Sequence, residues 1–170
     1  ISSTHYMNQL PNWVNEFNNL QLAKKYLSQG WNTLYPIIDY TESIADKNNY
    51  EAAPNKKDTA IFPYQYSAQL EKNNFEIIKA TPFGNTITKD LALACLKAEQ
   101  LGKGKQTDML CISFSSTDYV GHSYGPRSVE VEDVYLRLDK DLEELLNYID
   151  TSIGKDNVIV FLTADHGACD

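Results

Sequence analysis

Two short stretches of this chain carry aspartate and histidine in arrangements suited to holding a metal ion. Asp118 and His122 stand four residues apart within Ser116-Thr117-Asp118-Tyr119-Val120-Gly121-His122-Ser123-Tyr124-Gly125-Pro126. Asp165 and His166 are adjacent within Thr163-Ala164-Asp165-His166-Gly167. A hard carboxylate oxygen and a neutral imidazole nitrogen together suit zinc. The chain has three histidines, and two of them sit in these stretches beside an aspartate; His5 reads as a terminal surface residue. The spacing of Asp118 and His122 lets one helical turn or a compact loop aim both at one ion, and Gly121 and Gly125 let that loop fold tightly. In an extended strand Asp165 and His166 would point to opposite faces. At a strand end, with Gly167 next, the backbone can turn so that both reach one region. Either motif alone is commonly an ordinary loop or turn; their joint occurrence is what points to a metal site. Tyr119 and Tyr124 read as packing residues, and the carboxylates between 130 and 144 mostly as the solvated face of a helix.

The surrounding pattern supplies elements that would position these groups. Residues 109–114 and 158–163 are short apolar runs, each long enough for a buried strand, and the two motifs follow them. Ile87, Leu91, Cys95 and Ala98 form a helical stripe started by Asn85 or Thr86 and ended by Gly102. Val134, Tyr135, Leu138, Leu142, Leu145, Leu146 and Ile149 form a second, with Glu130, Glu132 and Asp133 in its first turn and Gly154 at its end. Between the first strand and this helix, residues 115–127 read as a polar loop. Helix, strand, helix, strand predicts an α/β fold: a three-layer sandwich with a mostly parallel sheet flanked by helices. In such sheets sites gather beyond the carboxyl ends of strands. Residues 8–29 read as a helix pair or one broken helix, stopped by Gly30. Residues 31–85, broken by Pro36, Pro54, Pro63 and Pro82, read as short helices and loops. The chain is thus expected to be one domain over 1–170, with 1–85 a helix and loop elaboration and 86–170 the α/β core.

Bulk properties set limits. The 170 residues are 42% hydrophobic and 22% charged, ordinary for a globular protein, with a net charge of −8. Such a surface repels nucleic acid; Lys24-Lys25 and Lys56-Lys57 are isolated pairs. No apolar run is long enough to span a membrane. Cys95, Cys111 and Cys169 are too few for a disulfide framework, and Cys95 and Cys111 read as small core residues. Because the chain begins at Ile1 and stops at Asp170 directly after a motif, it is expected to be an internal piece of a longer protein.

At these motifs the sequence resembles the alkaline phosphatase superfamily. Residues 163–167 look like its T-x-D-H-G motif, and residues 118–126 look like the D-x-x-G-H-x-x-G-P motif of its phosphatase and nucleotide pyrophosphatase/phosphodiesterase branches. Trp31-Asn32-Thr33-Leu34-Tyr35-Pro36, Thr81-Pro82-Phe83-Gly84-Asn85 and Tyr135-Leu136-Arg137-Leu138-Asp139 extend the likeness towards PafA-type bacterial alkaline phosphatases. The resemblance implies a partial alkaline-phosphatase-like domain and a small phosphate-ester substrate. It implies that Asp118 and His122 bind one zinc with a later histidine. Asp165 and His166 would bind a second with an earlier aspartate and a nucleophilic Thr or Ser, the two ions roughly 4 Å apart and a phospho-enzyme intervening. With the nucleophile and the remaining ligands expected outside this chain, zinc binding should be weak or absent and the chain inactive alone. A phosphodiesterase or nucleotide pyrophosphatase, or a non-catalytic metal-binding or interaction module, are the competing readings. Sulfatases and manganese-using phosphoglycerate mutases are further relatives. The resemblance also implies a periplasmic or secreted protein. Exposed sheet edges would favour dimerisation.

Overall fold

The computed structural model describes residues 3, 5–49, 51, 52 and 60–168; Pro54, Lys56, Lys57 and Cys169 lie outside them. The fold is helical. α1 (Asn12–Asn19) and α2 (Leu22–Ser28) form the broken pair, interrupted where Gln21 adopts φ 48°. α3 (Ser67–Glu71) is short. α4 (Pro82–Ala98), α5 (Ser116–Tyr124) and α6 (Val129–Ser152) form the body. Single 3-10 turns occupy Ile37–Asp39, Glu76–Ala80 and Lys155–Asn157.

The expected α/β sandwich is not formed. Residues 107–114 and 158–164 form neither helix nor strand, and among the described residues the one β-type pairing is the isolated bridge between Trp31 and Tyr64. A strand becomes a sheet only through ladder bonds to a neighbour, and no described neighbour supplies them. Ile112 and Phe114 still pack against the helices. Residues 159–162 do not: Phe161 is 88% exposed and Leu162 81%. Cys111, expected in the core, is exposed on the same kind of unpaired segment, while Cys95 is half-buried.

α4 starts earlier than expected because Pro82 takes its first turn, where a missing N–H costs nothing. Its buried face is Phe83, Asn85, Lys89, Ala92, Leu93 and Leu96 rather than the Ile87–Leu91–Cys95 stripe, and Leu91 is exposed. α6 starts at a Ser128 cap, whose hydroxyl accepts the Val131 N–H at 3.2 Å.

Two apolar clusters hold the helices together. The larger surrounds the fully buried Trp31 with Leu27, Tyr64, Tyr66, Phe83, Val120, Tyr124 and Val134, so both halves of the chain contribute. Its rings meet edge-on or tilted, Trp31–Phe62 at 5.1 Å and Tyr64–Tyr124 at 5.8 Å. The smaller joins Ala92, Leu93 and Leu96 of α4 to Leu145 of α6. Each leucine side chain buried in this way contributes roughly 1.5–3 kcal/mol.

The acidic start of α6 departs from its expected solvated role. Glu130 and Asp133 are fully buried, and Asp141 is 8% exposed. Asp133 is a hub. Its carboxylate accepts the Trp31 indole N–H at 2.7 Å, the Leu34 backbone N–H at 2.6 Å, the Tyr40 hydroxyl at 2.5 Å and Arg137 Nε at 2.6 Å. These bonds clamp residues 31–40 onto α6.

Candidate metal centre

Asp118 and His122 both lie on α5, so the region expected as a loop is helical where it matters. Their spacing stacks them on one face, and His122 Nε2 lies 3.4 Å from Asp118 Oδ1. α5 is fixed by its apolar face, with Val120 and Tyr124 buried in the larger core. Asn85 holds its start: the buried Asn85 Oδ1 accepts the Ser116 N–H at 3.1 Å. Asn85 read in sequence as a cap of its own helix. It instead anchors the neighbouring one, a contact 31 residues away that local pattern cannot reveal. Gly84 permits that approach, since a Cβ there would overlap Ser116 Oγ and lie 2.9 Å from Ile78 O. Gly125, at φ +88°, ends α5 ahead of Pro126.

His166 follows the second of the two unpaired segments, residues 158–164. Its Nε2 lies 3.5 Å from the same Asp118 Oδ1. Its Nδ1 lies 2.9 Å from the Gly167 carbonyl, which can only accept. A proton on Nδ1 satisfies that carbonyl and leaves the Nε2 lone pair for a metal, the orientation that a metal-binding histidine needs. The Gly167 contact, then the charges of Asp165 and Asp118, raise the His166 pKa. Asp165 Oδ1 accepts the His166 backbone N–H at 3.1 Å. The structure thus gathers His122 and His166 about Asp118, with Asp165 adjacent and bonded to backbone. The groups are open to solvent, His122 side chain 74% exposed and Asp118 46%.

The donor types fit a borderline divalent ion. Zinc bonds of about 2.0–2.1 Å in tetrahedral geometry place neighbouring ligand atoms about 3.3–3.4 Å apart. The separations across Asp118 are close to that. Yet no group of three or more His, Cys, Asp or Glu among the described residues encloses an ion position. Both imidazoles approach one oxygen, so the arrangement is an open edge and not a cage. Beside it, Lys79 places its ammonium 5.1 Å from the centre of the Tyr119 ring and pairs with Glu76 at 2.6 Å. Sequence reasoning singled out neither Lys79 nor its ring contact, because the two are 40 residues apart. No described helix is long and apolar enough to cross a membrane.

Asp118 and His122 on α5, met by His166 from the segment after α6, match the motif pattern of one family. The model of the type I phosphodiesterase / nucleotide pyrophosphatase family matches residues 2–170, and the chain belongs to that family. Within it, the likeness runs to alkaline phosphatases of the PafA kind. The chain is 54% identical over 168 residues to alkaline phosphatase PhoV of Synechococcus elongatus, covering 99% of this chain and 30% of that protein. It is 48% identical over 168 residues to alkaline phosphatase PafA of Elizabethkingia meningoseptica, covering 99% of this chain and 31% of that one. The crystal structure of wild-type alkaline phosphatase PafA superposes with a TM-score of 0.85 at 45% identity, covering 91% of this chain and 30% of the other. The chain therefore spans about 30% of the length of these relatives.

Proposed function

We propose that this chain forms part of the zinc centre of a phosphate-monoester hydrolase of the alkaline phosphatase type, with Asp118, His122, Asp165 and His166 as ligands. The convergence of His122 Nε2 and His166 Nε2 on Asp118 Oδ1 supports the reading. The names of two relatives, alkaline phosphatases PhoV and PafA, support phosphatase over diesterase chemistry. What zinc supplies in such a site is positive charge against the phosphoryl oxygens. The chain's own part is positioning. α5 presents Asp118 and His122 on one face, and the Gly167 carbonyl fixes the tautomer of His166. Four ligands leave each of two ions short of the three or four protein donors a stable site uses. Zinc binding by the chain alone is therefore weak, and no group in it is assigned the nucleophile's role, so the chain alone does not turn over esters. A full enzyme of this kind would be exported and act on a small phosphate ester.

The test is a zinc competition titration against a chromogenic chelator, run on the chain and on His122→Ala and His166→Ala. Weak binding that each substitution lowers further is the expected result. Unchanged affinity in both variants removes the ligand assignment. Two tightly held zincs per chain, or zinc-dependent aryl phosphate turnover by the chain, contradicts the incomplete-site reading.

A further inference from the structure

Behind α5, away from the Asp118 edge, three carboxylates converge with no described cation among them. Each spends one oxygen on a protein donor. Asp46 Oδ2 accepts the Phe62 N–H at 3.3 Å, Glu51 Oε1 accepts Asn48 Nδ2 at 3.3 Å, and Glu130 Oε1 accepts the Tyr64 hydroxyl. The second oxygen of each is buried and has no hydrogen-bond partner. Glu130 is fully buried and Glu51 is 9% exposed. A buried, unsatisfied carboxylate oxygen is expensive when charged and cheap when it carries a proton.

We propose that Asp46, Glu51 and Glu130 form a proton-operated latch. Protonated, they hold residues 44–49, 51 and 52 against the end of α5 and the start of α6; ionised, they repel and release those residues. Two backbone bonds tie the segment down, Ile44 N–H to the Arg127 carbonyl and Ala52 N–H to the Ser123 carbonyl, each 2.8 Å. Burial pushes Glu130 up to about 7, with the charges of Glu51 and Asp46 adding to it. Burial likewise raises Glu51, with Asp46 adding, and raises Asp46 itself. Among the described residues the phenols Tyr64, Tyr66 and Tyr124 also face the cluster and are held protonated by burial. Arg127 leads into α6 ahead of the cluster, and Arg137 is committed to Asp133 one turn further on. No group of these acids encloses an ion position among the described residues, which favours protons over a metal as the operating ligand.

The sign follows from the raised values. A carboxyl with a folded pKa above its ordinary 4.5 stabilises the latched form fully below that pH and loses this as pH rises to about 7. The latch is closed in mild acid and open above neutrality. Because Ser123 and Tyr124 belong to α5, opening loosens the end of the helix that carries Asp118 and His122.

Amide hydrogen exchange by NMR, corrected for intrinsic rates, reads this directly at Ile44 and Ala52. From pH 5 to pH 8 their protection should fall by at least about tenfold, with amides around Leu93 unchanged. Glu130→Gln should keep protection within about threefold across the same range. Glu51→Gln is the second arm should the first fail to fold. A flat wild-type profile, or an equal fall in both Gln variants, overturns the latch. Restoration of protection at pH 8 by millimolar calcium chloride also overturns it, by making the cluster a cation site.

Discussion

Replacing Asp133 by Asn changes one heavy atom at a side chain that accepts four hydrogen bonds. Oδ1 receives the Leu34 N–H and the Tyr40 hydroxyl; Oδ2 receives the Trp31 indole and Arg137 Nε. With the nitrogen on the Oδ2 side the Trp31 N–H and Arg137 Nε, which can only donate, would face a donor, and Trp31 is 0% exposed. The cheaper orientation puts the nitrogen on the Oδ1 side, where the Tyr40 hydroxyl can turn to accept from it and the Leu34 N–H keeps that hydroxyl at 2.9 Å. The Leu34 N–H then loses its carboxylate acceptor, and the Trp31 and Arg137 bonds lose their ionic one. A net loss of about 2 kcal/mol is expected, against a total stability of roughly 5–15 kcal/mol. Asp133→Ala strands every donor at once and should cost about 3–5 kcal/mol, leaving a marginal fold. Urea unfolding at pH 7, followed by tryptophan fluorescence, gives the midpoint and slope; the midpoint should drop with the slope unchanged. The exposed Asp139→Asn, on the same helix, is the control and should stay within about 0.5 kcal/mol. A loss below about 1 kcal/mol for Asp133→Asn refutes the clamp, because a buried hub with four donors cannot be that indifferent to losing an acceptor.

Three further outcomes follow from the same geometry. Gly84→Ala would gain about 1 kcal/mol from helix propensity alone, but overlap with Ser116 Oγ and closeness to Ile78 O should make it destabilising by about 1–3 kcal/mol; a raised melting temperature counts against the close α4–α5 approach. Asp141 is pushed up to about 6, burial being the largest cause, so the stability its protonated form contributes is present below the ordinary value and lost as pH climbs to about 6. Relative to Asp141→Asn, the wild type should lose on the order of 2–3 kcal/mol between pH 3.5 and 7.5, and parallel pH curves would remove that reading. Phe161→Asp, at a position 88% exposed, should leave chemical stability within about 0.5 kcal/mol while reducing self-association in sedimentation; unchanged association excludes the 158–163 segment as the contact.

The amino-acid sequence by itself determined whatever depends on near neighbours. The Asp118–His122 spacing, the broken helix before Gly30 and the long helix after Ser128 are all local. Side-chain periodicity and caps act within a turn or two. The family was also legible, because residues 118–126 and 163–167 are contiguous runs that carry its motifs.

Tertiary structure alone decided the rest. Whether an extended segment becomes a strand depends on a neighbour that its own residues do not encode, so two good strand sequences stand unpaired. Whether an acid on a helix meets water or a donor depends on what packs over it. Glu130 and Asp133 carry the helical spacing of a surface face, yet Tyr64 and Trp31, 66 and 102 residues distant, arrive to bury them. His166 meets Asp118 for the same reason: chain separation is irrelevant once packing of α4, α5 and α6 has set where the ends of their connecting segments lie.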